Sequence, residues 1–200
     1  MVIRTYEDND EKGWLRCRVL SFLDTAYFDD VRREKENYAH PSVELVAEEG
    51  NQIIGIMDIE CEQKPNTICS NENIISGMIW HIAVHPDFQR KGVATALLDK
   101  AIKYLRDMGI RRIEAWTRDD RWVNSWYESN HFIKKDAYFH VYIEGKEVEG
   151  TLKSEVLQLT PVSACAHYTG NNEEILNRFN RVHECSMYEL ILNHEQRNNH

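Results

Sequence analysis

The hydrophobic positions change their period along the chain, and each change marks an element. Residues 1–6 alternate as a first strand. Over 9–23, Trp14, Leu15, Val19, Phe22 and Leu23 return at helical spacing behind a capping Asn9 or Asp10. Residues 27–35 read as a second short helix, ended by the loop 37–42. Strands 43–47 and 53–61 follow, joined by Glu49-Gly50-Asn51, a hairpin signal. A polar loop with Pro65 leads into 74–84, whose apolar, β-branched run predicts a buried central strand. The clearest helix is 92–106: Ala94, Leu97, Leu98, Ala101, Ile102 and Leu105 form one apolar stripe, and Gly109 follows its end. A short strand at 112–117, a helix at 121–130 and a strand at 132–143 complete the regular part.

The last third is less periodic. Residues 144–170 carry turn signals, and the stretch 144–181 reads as an insertion before a final strand at 182–192, with a helix at 172–179. The polar tail 194–200 reads as frayed. Strands and helices interleave in the middle while hairpins dominate the ends. This predicts one domain over 1–193, α/β (α+β) in class with a mixed sheet.

Composition narrows the function. The chain carries 33 acidic and 24 basic side chains, a formal net charge of −9, and its clusters Arg32-Arg33 and Arg111-Arg112 have acidic neighbours. A nucleic-acid partner is therefore not expected, and an acidic surface mildly favours a cationic one. No run is long and apolar enough for a membrane span, and residues 1–8 turn acidic without a leader-like core, so a cytoplasmic location is expected. Five irregularly spaced cysteines argue for reduced thiols. Cys165-Ala166-His167 and His183-Glu184-Cys185 each place Cys and His on one face of an extended chain. Their spacing is not that of a zinc motif, and no metal is assigned.

The chemistry concentrates in Trp80-His81-Ile82-Ala83-Val84-His85-Pro86-Asp87-Phe88-Gln89-Arg90-Lys91-Gly92-Val93-Ala94-Thr95. This is a strand, a tight polar turn and a glycine entry into an amphipathic helix. The first helical turn has N–H groups without intrahelical acceptors, and with the helix dipole they make an anion site suited to a phosphate. Gly92 and Ala94 are small where a ligand must approach, and Arg90 and Lys91 add positive charge.

Gln89-Arg90-Lys91-Gly92-Val93-Ala94 resembles the Gln/Arg-x-x-Gly-x-Gly/Ala signature of the GNAT superfamily of acyl-CoA-dependent N-acyltransferases. Downstream, Asn124-Ser125-Trp126-Tyr127-Glu128-Ser129-Asn130-His131-Phe132 resembles that family's Asn, Tyr-Glu and Gly-Phe positions, with His131 where glycine is usual. The resemblance implies a largely antiparallel mixed sheet flanked by helices, and acetyl-CoA as acyl donor. The strand before the loop would splay from its neighbour. Ile82, Ala83 and Val84 would then pair with the pantetheine amides, and Gln89, Arg90, Lys91, Gly92, Val93, Ala94 and Thr95 would cradle the pyrophosphate. Asn124 would touch the pantetheine arm and Tyr127 would sit near the sulfur. A backbone N–H of Ile82 or Ala83 would hold the oxyanion.

Acetyl transfer to a primary amine by direct attack also needs a proton acceptor for the amine and a donor for the thiolate. A phenol is neutral at pH 7, so Tyr127 suits the donor. For the base the sequence offers His81, Glu60 on the neighbouring strand, or a chain of waters. Asp24, Asp29 and Asp30 cluster where a cationic amine would enter. A non-catalytic acyl-CoA-binding or sensing module is the rival reading. An exposed final strand would offer an edge for a homodimer.

Overall fold

The computed structural model describes residues 1–71, 73–170 and 172–192; the predicted tail 194–200 lies outside them. Eight strands form one sheet: β1 (Val2–Thr5), β2 (Ser42–Glu49), β3 (Gln52–Cys61), β4 (Ser76–Val84), β5 (Arg112–Thr117), β6 (Ile133–Glu144), β7 (Ser163–Tyr168) and β8 (Arg181–Ile191). Their spatial order is β1-β2-β3-β4-β5-β8-β6-β7. Every neighbouring pair is antiparallel except β4 with β5. The helices are α1 (Glu11–Phe22), α2 (Val93–Asp107), α3 (Arg121–Ser129) and α4 (Asn172–Arg178).

The central strands β2 and β3 are buried on both faces and alternate between two cores. Leu45, Ala47 and Met57 pack with Leu97, Leu98, Ala101 and Leu105 of α2 on one side. Val46 and Ile56 meet Trp14 and Cys17 of α1 on the other. The stripe on α2 is the predicted one. On α1 the buried residues are Trp14, Cys17, Arg18 and Ser21, while Leu23 is exposed. The sequence placed its stripe on the apolar residues; the face turned inward instead carries an arginine and a serine, because part of it lines a cavity.

Three further expectations are corrected. Residues 27–35 are not helical: short turns close from Phe28 to Thr25 and from Asp30 to Tyr27, and the chain then runs on irregularly. Side chains from elsewhere capture the backbone groups a helix would have used. Arg18 donates to the Asp30 carbonyl at 2.7 Å, Arg118 donates to the Ala26 carbonyl at 2.5 Å, and Asp120 accepts from the Ala26 N–H. The final strand is not an edge either: β8 lies between β5 and β6, and β7 takes the edge. That β7 forms within the turn-rich stretch was not read from the sequence. Beside it, α4 contributes Ile175 to a third cluster with Phe139, Val141, Ile143 and Val148.

Candidate active site

The site begins where the sheet parts. β4 and β5 pair only from Ser76–Arg112 to Ile79–Ala115. Beyond that, β5 follows β8 to Thr117–Ser186 while β4 stays with β3 to Val84–Gly55. The two strands diverge, and a cavity of about 910 Å³ opens between them. On that side the backbone of Ile82, Ala83 and Val84 has no partner strand.

One limb of the cavity ends at α2. Gly92 caps that helix at φ 80, and Arg90 before it also lies in the left-handed region at φ 62. The first intrahelical bond runs from Ala96 N–H to the Gly92 carbonyl, so the amides of Val93, Ala94 and Thr95 have no acceptor within the helix. Gln89 ties the loop to the end of β4 through Nε2 and the Val84 carbonyl at 3.1 Å. Gln89, Arg90, Gly92, Val93, Ala94 and Thr95 all line the cavity. Lys91 does not: its ammonium donates to the Asp87 carbonyl at 2.8 Å and lies over Phe88.

Tyr127 lies in the cavity wall, 2% exposed, stacked on Tyr188 at 5.2 Å. Burial pushes its phenol well above the ordinary value, so it is a neutral donor at any working pH. Asn124, one turn earlier on α3, faces elsewhere. Its Nδ2 donates to the carbonyls of Arg118 and Asp120 at 2.8 and 3.0 Å, and its Oδ1 accepts from Tyr188 Oη at 2.9 Å. It fixes the start of α3 rather than lining the cavity. His131 takes the left-handed conformation that glycine favours, at φ 67, and the turn closes through Phe132 N–H to the Tyr127 carbonyl.

The other limb runs under α1. A bulge on β4 sets it up: Asp58 opposes His81 and Ile59 opposes Ile79, leaving Trp80 without a partner on β3. His81 lies between Arg18 Nε, 3.4 Å from its Nδ1, and Glu36 Oε2, 2.5 Å from its Nε2. Glu36 is depressed overall: burial raises its carboxyl, but His81, Arg32 and Arg18 outweigh that. Glu60 is held differently. His40 donates through its backbone N–H at 3.0 Å and Trp80 through Nε1 at 2.9 Å. These contacts overcome the effect of burial and keep the Glu60 carboxyl below the usual range. Glu60 does not line the cavity.

The three aspartates are dispersed. Asp24 is exposed, Asp29 pairs with Arg181 at 2.7 Å, and Asp30 lines the cavity but pairs with Arg18 at 2.7 Å. In the insertion, His167 and His183 both oppose His140 across their strands, and Cys165 opposes Tyr142. Cys185 reaches the cavity rim beside Tyr138 and His140. Sequence reasoning missed Arg18, Glu36, Trp80, Trp116 and Tyr138 as lining residues. A charged residue one turn after Trp14, on what becomes the buried stripe, was the available signal for Arg18.

A splayed parallel pair thus lies beside a helix N-terminus whose free amides suit a phosphate. Residues 7–132 match the acetyltransferase (GNAT) family, and the chain belongs to that family. An uncharacterized N-acetyltransferase of Methanocaldococcus jannaschii is 35% identical over 94 residues, 46% of this chain and 40% of that protein. The match therefore spans less than half of that relative. An acetyltransferase of Pectobacterium atrosepticum is 27% identical over 60% of this chain and 78% of its own length. In fold, the chain is similar to the PaiA N-acetyltransferase of Thermoplasma acidophilum, solved in complex with coenzyme A. That likeness has a TM-score of 0.53 and 18% identity, over 68% of this chain and 91% of that one. Among the described residues no helix is long and apolar enough to cross a membrane.

Proposed function

We propose that this chain transfers the acetyl group of acetyl-CoA directly to a primary amine. The observation that carries the reading is the parting of β4 from β5, which joins an anion site, an open strand edge and a buried phenol in one cavity. The residues fit the donor. The free amides of Val93, Ala94 and Thr95 suit a pyrophosphate, and the backbone of Ile82–Val84 suits the pantetheine amides. A backbone N–H of Ile82 or Ala83 takes the oxyanion as the amine nitrogen bonds to the carbonyl carbon. When the carbon–sulfur bond breaks, Tyr127 protonates the departing thiolate.

For the amine's proton, the arrangement supports a route ending at the His81–Glu36 pair. Arg18 faces Nδ1 and Glu36 faces Nε2, so the ring bridges a cation and a carboxylate inside the cavity. Glu60 is less suited, since it does not line the cavity.

The test is a melting curve across an acetyl-CoA titration. At 100 times its dissociation constant a ligand specific for the folded state adds about 2.7 kcal/mol. A saturable rise in Tm with acetyl transfer to an amine is the expected result. No rise at millimolar acetyl-CoA overturns the reading. A rise without transfer to any amine replaces it with a binding module.

A further inference from the structure

The limb under α1 offers a ligand ring faces instead of free charge. Trp80, Trp116 and Tyr138 lie on its sheet side, from β4, β5 and β6, and Phe22 and Tyr27 stand on its outer wall. Trp80 projects because of the bulge and is 49% exposed, although its strand is largely buried. Trp116 and Tyr138 pack with centroids 5.3 Å apart. Each ring has its polar atom tied back to the protein. Trp80 Nε1 donates to Glu60 at 2.9 Å and Trp116 Nε1 to Glu114 at 3.0 Å. Tyr138 Oη is 2.9 Å from His140 Nε2, and Tyr27 Oη accepts from the Arg118 N–H at 3.1 Å. Most charges of the limb are engaged as well: Arg18 pairs with Asp30 at 2.7 Å and Arg32 with Glu36 at 2.5 Å, and Asp120 accepts from the Ala26 N–H. What remains for an occupant is a set of π faces, with the His81–Glu36 pair and Asp120 among them.

From this we infer that the acceptor is an arylalkyl amine: a planar aromatic ring on a short alkyl tether ending in a primary amine. The ring packs against Trp80, Trp116 and Tyr138, and the tether carries the amine towards His81. A linear polyamine would lose hydration at each ammonium and find Asp120 as the single lining carboxylate outside an ion pair among the described residues, too few for its several charges. An amino acid would find Arg18 bonded through all three of its nitrogens. The inference rests on the transferase reading and narrows it.

The test compares kcat/KM at saturating acetyl-CoA for phenethylamine and tryptamine against spermidine and glycine. The aromatic amines are expected to exceed the others at least tenfold. Trp80→Ala should raise KM for the aromatic amines at least tenfold, and Trp80→Phe should restore most of it by returning a ring. Spermidine or glycine turning over as well as the aromatic amines overturns the inference, as does an unchanged KM in Trp80→Ala. The wild-type panel needs no variant and stands alone if Trp80→Ala folds poorly. An acetyl-CoA melting shift on the same preparations separates the two readings. Without that shift the transferase reading falls; with it, and with linear amines preferred, only the acceptor class falls.

Discussion

Gly55 lets α2 sit as low on the sheet as it does, and adding one methyl group there should be felt at the cavity mouth. A Cβ on Gly55 would lie 2.7 Å from Val93 Cγ1, 3.1 Å from Leu97 Cδ1 and 3.4 Å from Ala47 Cβ. Val93 is the first residue of α2, and a β-branched side chain in a helix has essentially one rotamer, so it cannot swing aside. The first turn of α2 must therefore rise by several tenths of an ångström. Overpacking of this kind costs about 1–3 kcal/mol, offset by about 0.4–1 kcal/mol from the stiffer unfolded chain. The net loss of about 1–2 kcal/mol lowers Tm by about 2–8 °C in a chain of this size. The same displacement carries the amides of Val93, Ala94 and Thr95 away from the pyrophosphate. Hydrogen bonds to charged groups contribute about 1.5–3 kcal/mol each, so losing part of one weakens acetyl-CoA about tenfold. Calorimetry of Gly55→Ala with and without acetyl-CoA reads both effects. A lowered Tm with unchanged affinity would separate the start of α2 from the anion site. An unchanged Tm would refute the packing argument itself.

Tyr127→Phe keeps the stacking on Tyr188 but removes the proton donor; kcat should fall at least about tenfold with acetyl-CoA affinity unchanged, and an unaltered kcat removes Tyr127 from the chemistry. His131→Gly should raise stability by about 1 kcal/mol, since a left-handed backbone penalises a side chain and glycine does not, measured as the urea midpoint. His140 titrates near 4 instead of 6.5, because burial and then the charge of Arg118 disfavour its cation. Between those values the unfolded chain binds the extra proton, so this contribution is complete above pH 6.5 and is lost as pH falls towards 4. Urea midpoints at pH 7 and pH 5 should differ less in His140→Gln than in the wild type.

The sequence legibility of this fold follows from where each signal is written. The hairpin β2–β3, the central β4 and helix α2 are local patterns, with period and punctuation inside one short window. Residues 27–35 have a helical pattern, yet Arg18 claims the Asp30 carbonyl, and Arg118 and Asp120 hold Ala26 just before them, all from outside the window. β7 was illegible for another reason: most of its residues are exposed, so no alternation between core and solvent marks it. The donor limb was readable because one loop and one helix end form it. The acceptor limb gathers Trp80, Trp116 and Tyr138 from three strands, and nothing in their separate neighbourhoods announces that they meet. The family pattern placed Asn124 near the ligand; its side chain is bonded to Arg118, Asp120 and Tyr188, while the ammonium of Lys91, whose backbone N–H was the expected contact, bonds the Asp87 carbonyl.

The place of β8 in the sheet bears on how the molecule is made. Among the described residues it is the last strand in chain order, yet it is inserted between β5 and β6 and connects them within the sheet. While the chain is being synthesised, everything through β7 can emerge and still be two unjoined halves, each with an open edge. That strand also brings Cys185 to the cavity wall beside Tyr138 and His140 of β6. Closing this seam requires contacts far apart in sequence, a slow step in folding. Within the described residues, the joining of β1–β5 to β6 and β7 therefore depends on this one strand.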